Sequence, residues 1–138
     1  MANVRPLAVL VVEDEPYTLE IMATLLTSLG HRVVTAASGP AAIAIAEEHP
    51  GLDVALIDVR LPGFDGHEVA RRLRALPAGA GAALVAISAT AGAAQQAGAD
   101  AASWDACLVK PLDAERIFDA ITDVLRMRGR LERDETFA

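Results

Sequence analysis

Four stretches of the chain end an apolar run in a side chain able to do polar chemistry. Glu13 and Asp14 follow LAVLVV (7–12), and Asp58 follows VALI (54–57). Ser88 follows ALVAI (83–87), and Lys110, with Pro111 behind it, follows ACLV (106–109). Carboxylates brought close together repel, and at least one keeps its proton unless a cation joins them. Mg²⁺ suits such a set, because it takes one or two carboxylates, retains waters and leaves room for phosphate oxygens. A lysine ammonium is a flexible point charge for a phosphate oxygen or for Asp58 itself, and a serine hydroxyl adds a neutral donor. A carboxylate is also a competent covalent nucleophile. These residue types together fit transfer of a phosphoryl group onto Asp58, with a metal and Lys110 neutralising charge in a loose, in-line transition state. Pro62 and Gly63 shape the loop after Asp58, where the backbone carbonyl of Arg60 is expected to add a metal ligand.

Such chemistry requires the four runs to lie side by side. Leu7–Val12 is Val-rich and lacks polar alternation, the pattern of a strand covered on both faces. A helix is expected from Pro16, carrying Leu19, Met22, Leu25, Leu26 and Leu29 and stopped by Gly30. Arg32–Ala36 is the second strand, followed by a helix over 39–48 capped by Ser38 and ended by His49-Pro50-Gly51. Val54–Ile57 is the third strand. Asp65 and Glu68 then open a helix over 66–76 in the manner of a capping box. Ala83–Ile87 and Ala106–Val109 are the fourth and fifth strands. Between them an Ala/Gln-rich helix is expected over roughly 92–102, weakened by Gly92 and Gly98. Asp113 caps a last helix bearing Ile117, Ile121, Val124 and Leu125, and the polar residues 128–138 are expected to be disordered. Five alternations of apolar strand and helix predict an α/β fold, a single doubly wound five-stranded parallel sheet with helices on both faces. Ligands in such sheets sit beyond the carboxyl ends of the strands, which is where the four polar groups fall.

The bulk properties agree. A chain of 138 residues with 53% hydrophobic content is enough for one domain with a real core. Cys107 is the one cysteine, so an internal disulfide is excluded and a cytoplasmic location is expected. The apolar runs are too short to cross a bilayer, and acids rather than a cleavage site follow the first of them. A net charge of −7 argues against a direct nucleic-acid partner. Of the 12 basic residues 11 are Arg, so Lys110 marks a place where a guanidinium fork does not substitute.

With Glu13-Asp14 after LAVLVV, Asp58 in LIDVRLPGFDG, Ser88-Ala89 after LVAI and Lys110-Pro111 after CLV, the chain resembles the response-regulator receiver domains of two-component signalling over about residues 7–127. The resemblance implies the flavodoxin-like strand order 2-1-3-4-5. It also implies that Asp58 is the phosphoacceptor, that Asp14 ligates Mg²⁺ directly and Glu13 through water, and that Ser88 and Lys110 bind phosphoryl oxygens. Arg60 and Thr90, each two residues past a site residue, match positions that tune dephosphorylation. The implied partners are a histidine kinase or histidine phosphotransfer protein and a downstream protein target, with no membrane. Phosphorylation and dephosphorylation would be slow and self-catalysed, so the chain is expected to be a phosphoacceptor rather than an enzyme. One departure stands out. Receiver domains usually carry Tyr or Phe three residues before the lysine, and here that position is Cys107. The aromatic side chain that swings inward on activation is missing.

The remaining marked residues have plainer readings. His31, His49 and His67 lack metal-ligand spacing and are expected in solvated loops or helix starts. Cys107 reads as a small buried residue, Trp104 as packing at a sheet edge, and Arg71, Arg72 and Arg74 as the wet face of a helix. A Mg²⁺-dependent aspartyl phosphohydrolase is the competing function. Such enzymes commonly place a second Asp two residues after the first, and that position is Arg60. A binding-only relative is opposed by the intact acids, Ser88 and Lys110, and a flavin protein by the lack of a Ser/Thr-rich loop after the first strand. With Met1 only a few residues before the first strand, a stand-alone regulator is expected, and a receiver cut from a hybrid kinase is the alternative.

Overall fold

Each of the apolar runs becomes a strand in the computed structural model, which describes residues 6–90 and 104–127. The elements in order are β1 (Ala8–Val12), α1 (Pro16–Ser28), β2 (Arg32–Ala36), α2 (Gly39–Glu48), β3 (Val54–Asp58), α3 (Gly66–Ala75), a single turn α4 (Pro77–Ala80), β4 (Ala83–Ser88), β5 (Ala106–Val109) and α5 (Ala114–Met127). The strands form one parallel sheet in the order β2-β1-β3-β4-β5. The helix expected over 92–102 and the tail 128–138 lie outside the described residues. The turn α4 was not expected from the sequence; it begins at Pro77, directly after Leu76, the C-cap of α3.

Side chains alternate across the sheet, so each strand feeds two cores. Val9, Val11, Leu56, Val85 and Ile87 pack with Met22 and Leu26 of α1 and Ile117 and Ile121 of α5. Leu10, Val12, Ile57, Leu84 and Ala86 pack with Ala42 and Ala46 of α2 and Val69 and Leu73 of α3. This is why β1, β3 and β4 have no polar alternation.

The helix starts follow the capping signals. Glu15 accepts from the backbone N–H groups of Tyr17 and Thr18, ahead of Pro16 in the first turn. Ser38 accepts from Ala41 N–H, and Asp113 from Arg116 N–H. Asp65 accepts from Glu68 N–H, but the Glu68 carboxylate pairs with Arg71 and Arg72 at 2.8 and 2.9 Å. Gly30 ends the α1 turn at a positive φ of 96°, a conformation that favours glycine.

Three side chains depart from expectation. Leu29 is the C-cap of α1 and is exposed, since the helix has already ended where it leaves the apolar stripe. His31 is buried rather than solvated, because its Nδ1 accepts the N–H of Leu7 at 3.1 Å. Arg74 does not share the wet face with Arg71 and Arg72. Its guanidinium reaches the carbonyls of Gly79 and Ala82 and pairs with Asp105 at 2.6 Å, tying the end of α3 to the start of β4 and β5.

Candidate functional site

The sheet brings four of its strand ends to one edge. β1 and β3 pair in register, Val12 beside Ile57, so the residues that follow them lie together. Glu13 leaves β1 with its N–H bonded to the carbonyl of Ala36. Asp58 closes β3 opposite Ile87 of β4, and Ser88 closes β4 opposite Val109 of β5. The backbone N–H of Lys110 donates to the carbonyl of Ser88 at 2.8 Å, so the lysine is set by the last rung of the ladder.

The side chains meet as their types suggested. Lys110 Nζ donates to Asp58 Oδ2 at 2.9 Å and to Glu13 Oε1 at 3.0 Å. Asp58 Oδ1 accepts from the backbone N–H of Arg60 at 2.8 Å, and Glu13 Oε2 from that of Glu15 at 3.1 Å. Glu13 and Asp58 are buried and Asp14 is exposed, yet each of the three offers a carboxylate oxygen within 4.8 Å of the others. Burial pushes the Glu13 carboxyl above its ordinary range, and Asp58 beside it pushes the same way, against the Lys110 hydrogen bond. Burial works to lower the Lys110 ammonium, but its bonds to Asp58 and Glu13 outweigh burial and hold its pKa above the usual value.

Three carboxylates against one ammonium, bonded to Glu13 and Asp58, carry an excess of negative charge within the cluster. A hard divalent cation offsets that charge and prefers oxygen ligands, so the residues present fit Mg²⁺.

Three sequence-predicted residues stand slightly apart. The Ser88 hydroxyl, fully buried, donates to the carbonyl of Thr90 at 2.7 Å and accepts from the Thr90 N–H at 3.1 Å. Arg60 meets the cluster through its N–H. Cys107 is half-buried against the α2/α3 core, where burial pushes its thiol pKa up, away from redox reactivity.

The close fit behind Asp58 depends on Gly66. Its N–H donates to the carbonyl of Val59 at 3.0 Å, and a Cβ there would collide with the Asp58 carbonyl oxygen. The N-terminus of α3 therefore lies directly against the backbone of the acid. Sequence reasoning missed two features near the site. Tyr17 and Ile21, exposed on α1, line a groove with Leu25, Leu112, Pro111 and Lys110. The stripe Leu19, Met22, Leu25, Leu26 already places Tyr17 and Ile21 off the core face, and that was the available signal. The second is the contact between Trp104 and His67, 37 positions apart, which no local pattern announces.

The family model for the response regulator receiver domain matches residues 9–122. The chain belongs to this family, the phosphoacceptor receivers of two-component systems. It is 39% identical over 116 residues to the virulence sensor protein BvgS of Bordetella bronchiseptica, an alignment covering 80% of this chain and 9% of that protein. It therefore spans about a tenth of the length of such curated relatives. Among solved structures, it resembles the receiver domain of the sensor histidine kinase PA1611 of Pseudomonas aeruginosa. The TM-score is 0.76 and the identity 30%, with 90% of this chain and 98% of that one covered; that structure has a magnesium ion coordinated in its active-site cleft. The chemotaxis protein CheY4 of Vibrio cholerae superposes with a TM-score of 0.80 at 25% identity, covering 87% of this chain and 99% of its own. Among the described residues no helix is long and apolar enough to cross a membrane.

Proposed function

We propose that Asp58 takes a phosphoryl group from a phosphohistidine on a histidine kinase or histidine phosphotransfer protein. An Asp58 carboxylate oxygen attacks phosphorus, the new O–P bond forms, and the P–N bond breaks with its electron pair going to the donor imidazole. The observation that carries this reading is Lys110 Nζ bridging Asp58 and Glu13 while Asp14 completes a three-carboxylate cluster. In this role Lys110 neutralises oxygen charge on the transferred group. Glu13, Asp14, Asp58 and the carbonyl of Arg60 would hold Mg²⁺, which supplies charge neutralisation at the phosphoryl oxygens. Ser88 turns from Thr90 to a phosphoryl oxygen, and Arg60 and Thr90 tune loss of the group. The same site serves a stand-alone cytoplasmic regulator and a receiver within a hybrid kinase. Arg60, in place of a second acid, argues against a dedicated phosphohydrolase.

The test is labelling by acetyl phosphate with Mg²⁺, followed by intact-mass measurement. Wild type should gain one phosphoryl group, and Asp58→Asn should gain none. Wild-type labelling of that variant would refute the assignment. The exposed Tyr17 and Ile21 beside Lys110 fit an apolar face around the donor histidine. Ile21→Glu should slow transfer from a phosphorylated histidine phosphotransfer domain and leave labelling by acetyl phosphate unchanged.

A further inference from the structure

Asp58 is joined to Trp104 by two separate routes. The first runs through the β3–α3 loop. Gly66 is fixed against the backbone of Asp58 and Val59, and the ring of the next residue, His67, accepts the Trp104 indole N–H at Nδ1, 3.0 Å away. The two rings meet edge to face, with centroids 5.7 Å apart and planes at 78°. The second route runs along β5. Trp104 precedes Asp105, whose N–H donates to the carbonyl of Leu84 and whose carboxylate accepts from the N–H of Leu84, both at 2.8 Å. From there β5 leads to Lys110, bonded to Asp58. The two routes close a ring of contacts with Asp58 on one side and a buried indole on the other.

We propose that the His67–Trp104 contact carries the state of Asp58 to the start of β5, in a chain whose residue 107 is a cysteine and not an aromatic. The inference rests on Asp58 being the phosphoacceptor. A phosphoryl group on Asp58 adds bulk and negative charge against the β3–α3 loop and draws Lys110 toward its oxygens. Both ends of the ring then move at once. A hydrogen bond weakens steeply as its angle and length depart from the optimum, so the contact behaves as made or broken rather than as a spring. It also requires a neutral His67 with its proton on Nε2, since Nδ1 is the acceptor.

Trp104 is the one tryptophan of the chain, so indole emission reports on this side chain and its surroundings, and the His67 variants isolate the contact. Emission of the full chain is recorded with Mg²⁺, before and after adding beryllofluoride, while labelling by acetyl phosphate is followed in parallel. Wild-type emission should change on loading. His67→Phe keeps a ring and loses the acceptor, so its unloaded emission should already resemble that of loaded wild type, with little further change. His67→Asn, which returns an acceptor near the Nδ1 position, should restore the response. Because coupling is reciprocal, His67→Phe and Trp104→Phe should each shift the affinity for beryllofluoride, read by fluorine NMR, by about fivefold or more. A protein that labels at Asp58 without any change in indole emission overturns the inference and leaves the phosphoacceptor reading intact. So does a pair of variants with wild-type affinity. Absence of both labelling and beryllofluoride binding removes both.

Discussion

The two ends of the sheet bury the same kinds of polar side chain and use them differently. At the amino end, Asp53 and His31 are buried, and each accepts a backbone donor at or just before the start of β1: Asp53 Oδ2 from Ala8 N–H at 2.9 Å, and His31 Nδ1 from Leu7 N–H at 3.1 Å. These groups complete the backbone, and among the described residues neither belongs to the cluster of acids. At the carboxyl end, Glu13, Asp14 and Asp58 face one another with Lys110 between two of them. Burial alone does not separate the two ends. What marks the carboxyl end is like charge gathered beyond what the protein itself neutralises, an arrangement that becomes favourable once something from solution joins it.

The largest effects should come from breaking the carboxyl end, and they should be functional. Asp14→Ala should weaken Mg²⁺ binding by at least about tenfold, the loss typical even of a partner outside the metal's own ligands. Mg²⁺-dependent labelling should fall with it, as read by titration and by mass. Without metal the same variant should be as stable as wild type to within about 0.5 kcal/mol, since Asp14 is exposed and its removal relieves repulsion. A clear loss of stability in urea would show that the acid belongs to the scaffold and would erase the contrast.

The mirror experiment is at the amino end. Asp53→Ala leaves the part-buried N–H of Ala8 without this acceptor. Urea unfolding should show a loss of about 1 kcal/mol, the low end of the cost of an unsatisfied donor, because the site is part-buried. Labelling of Asp58 by acetyl phosphate in the folded variant should be unchanged. A variant that kept its stability and lost labelling would reverse the roles given to the two ends.

The carboxyl end was far more legible in the sequence than the amino end, for a physical reason. Glu13, Asp58, Ser88 and Lys110 each follow an apolar run, and a parallel sheet must bring the ends of such runs together. Chain-local patterns therefore predict a long-range cluster. The strand order came from family resemblance, and the sheet shows it. His31 and Asp53 gave no such signal. Each sits in a polar connection, and its partner is a backbone donor at or just before the start of β1, more than 20 residues away. Arg74 failed in the same manner. Its neighbours Arg71 and Arg72 are solvated, and only the return of the chain at Asp105 draws it inward. The metal-ligand role of the Arg60 carbonyl was read from the loop that Pro62 and Gly63 shape, and what Arg60 contributes directly is its N–H.

The smallest expected effect sharpens the contrast through pH. Burial lowers the pKa of His31 below its ordinary value, and the charge of Asp53 only partly opposes this. The unfolded chain therefore binds the proton more readily than the folded one. Stability is fully present above the unfolded pKa of about 6.5 and is lost as pH falls from there toward the folded value. The slope from one group is at most about 1.4 kcal/mol per pH unit. His31→Asn keeps an acceptor near Nδ1 for the N–H of Leu7 and removes the titration. Chemical unfolding between about pH 7 and 5 should show wild-type stability falling more steeply than that of the variant. The difference should persist in Asp14→Ala, because the acid cluster lies at the other end of the sheet and does not touch His31. Equal slopes in wild type and His31→Asn would show that the proton binds the folded and unfolded chains alike, and that the amino end is not the pH-sensitive part of the scaffold.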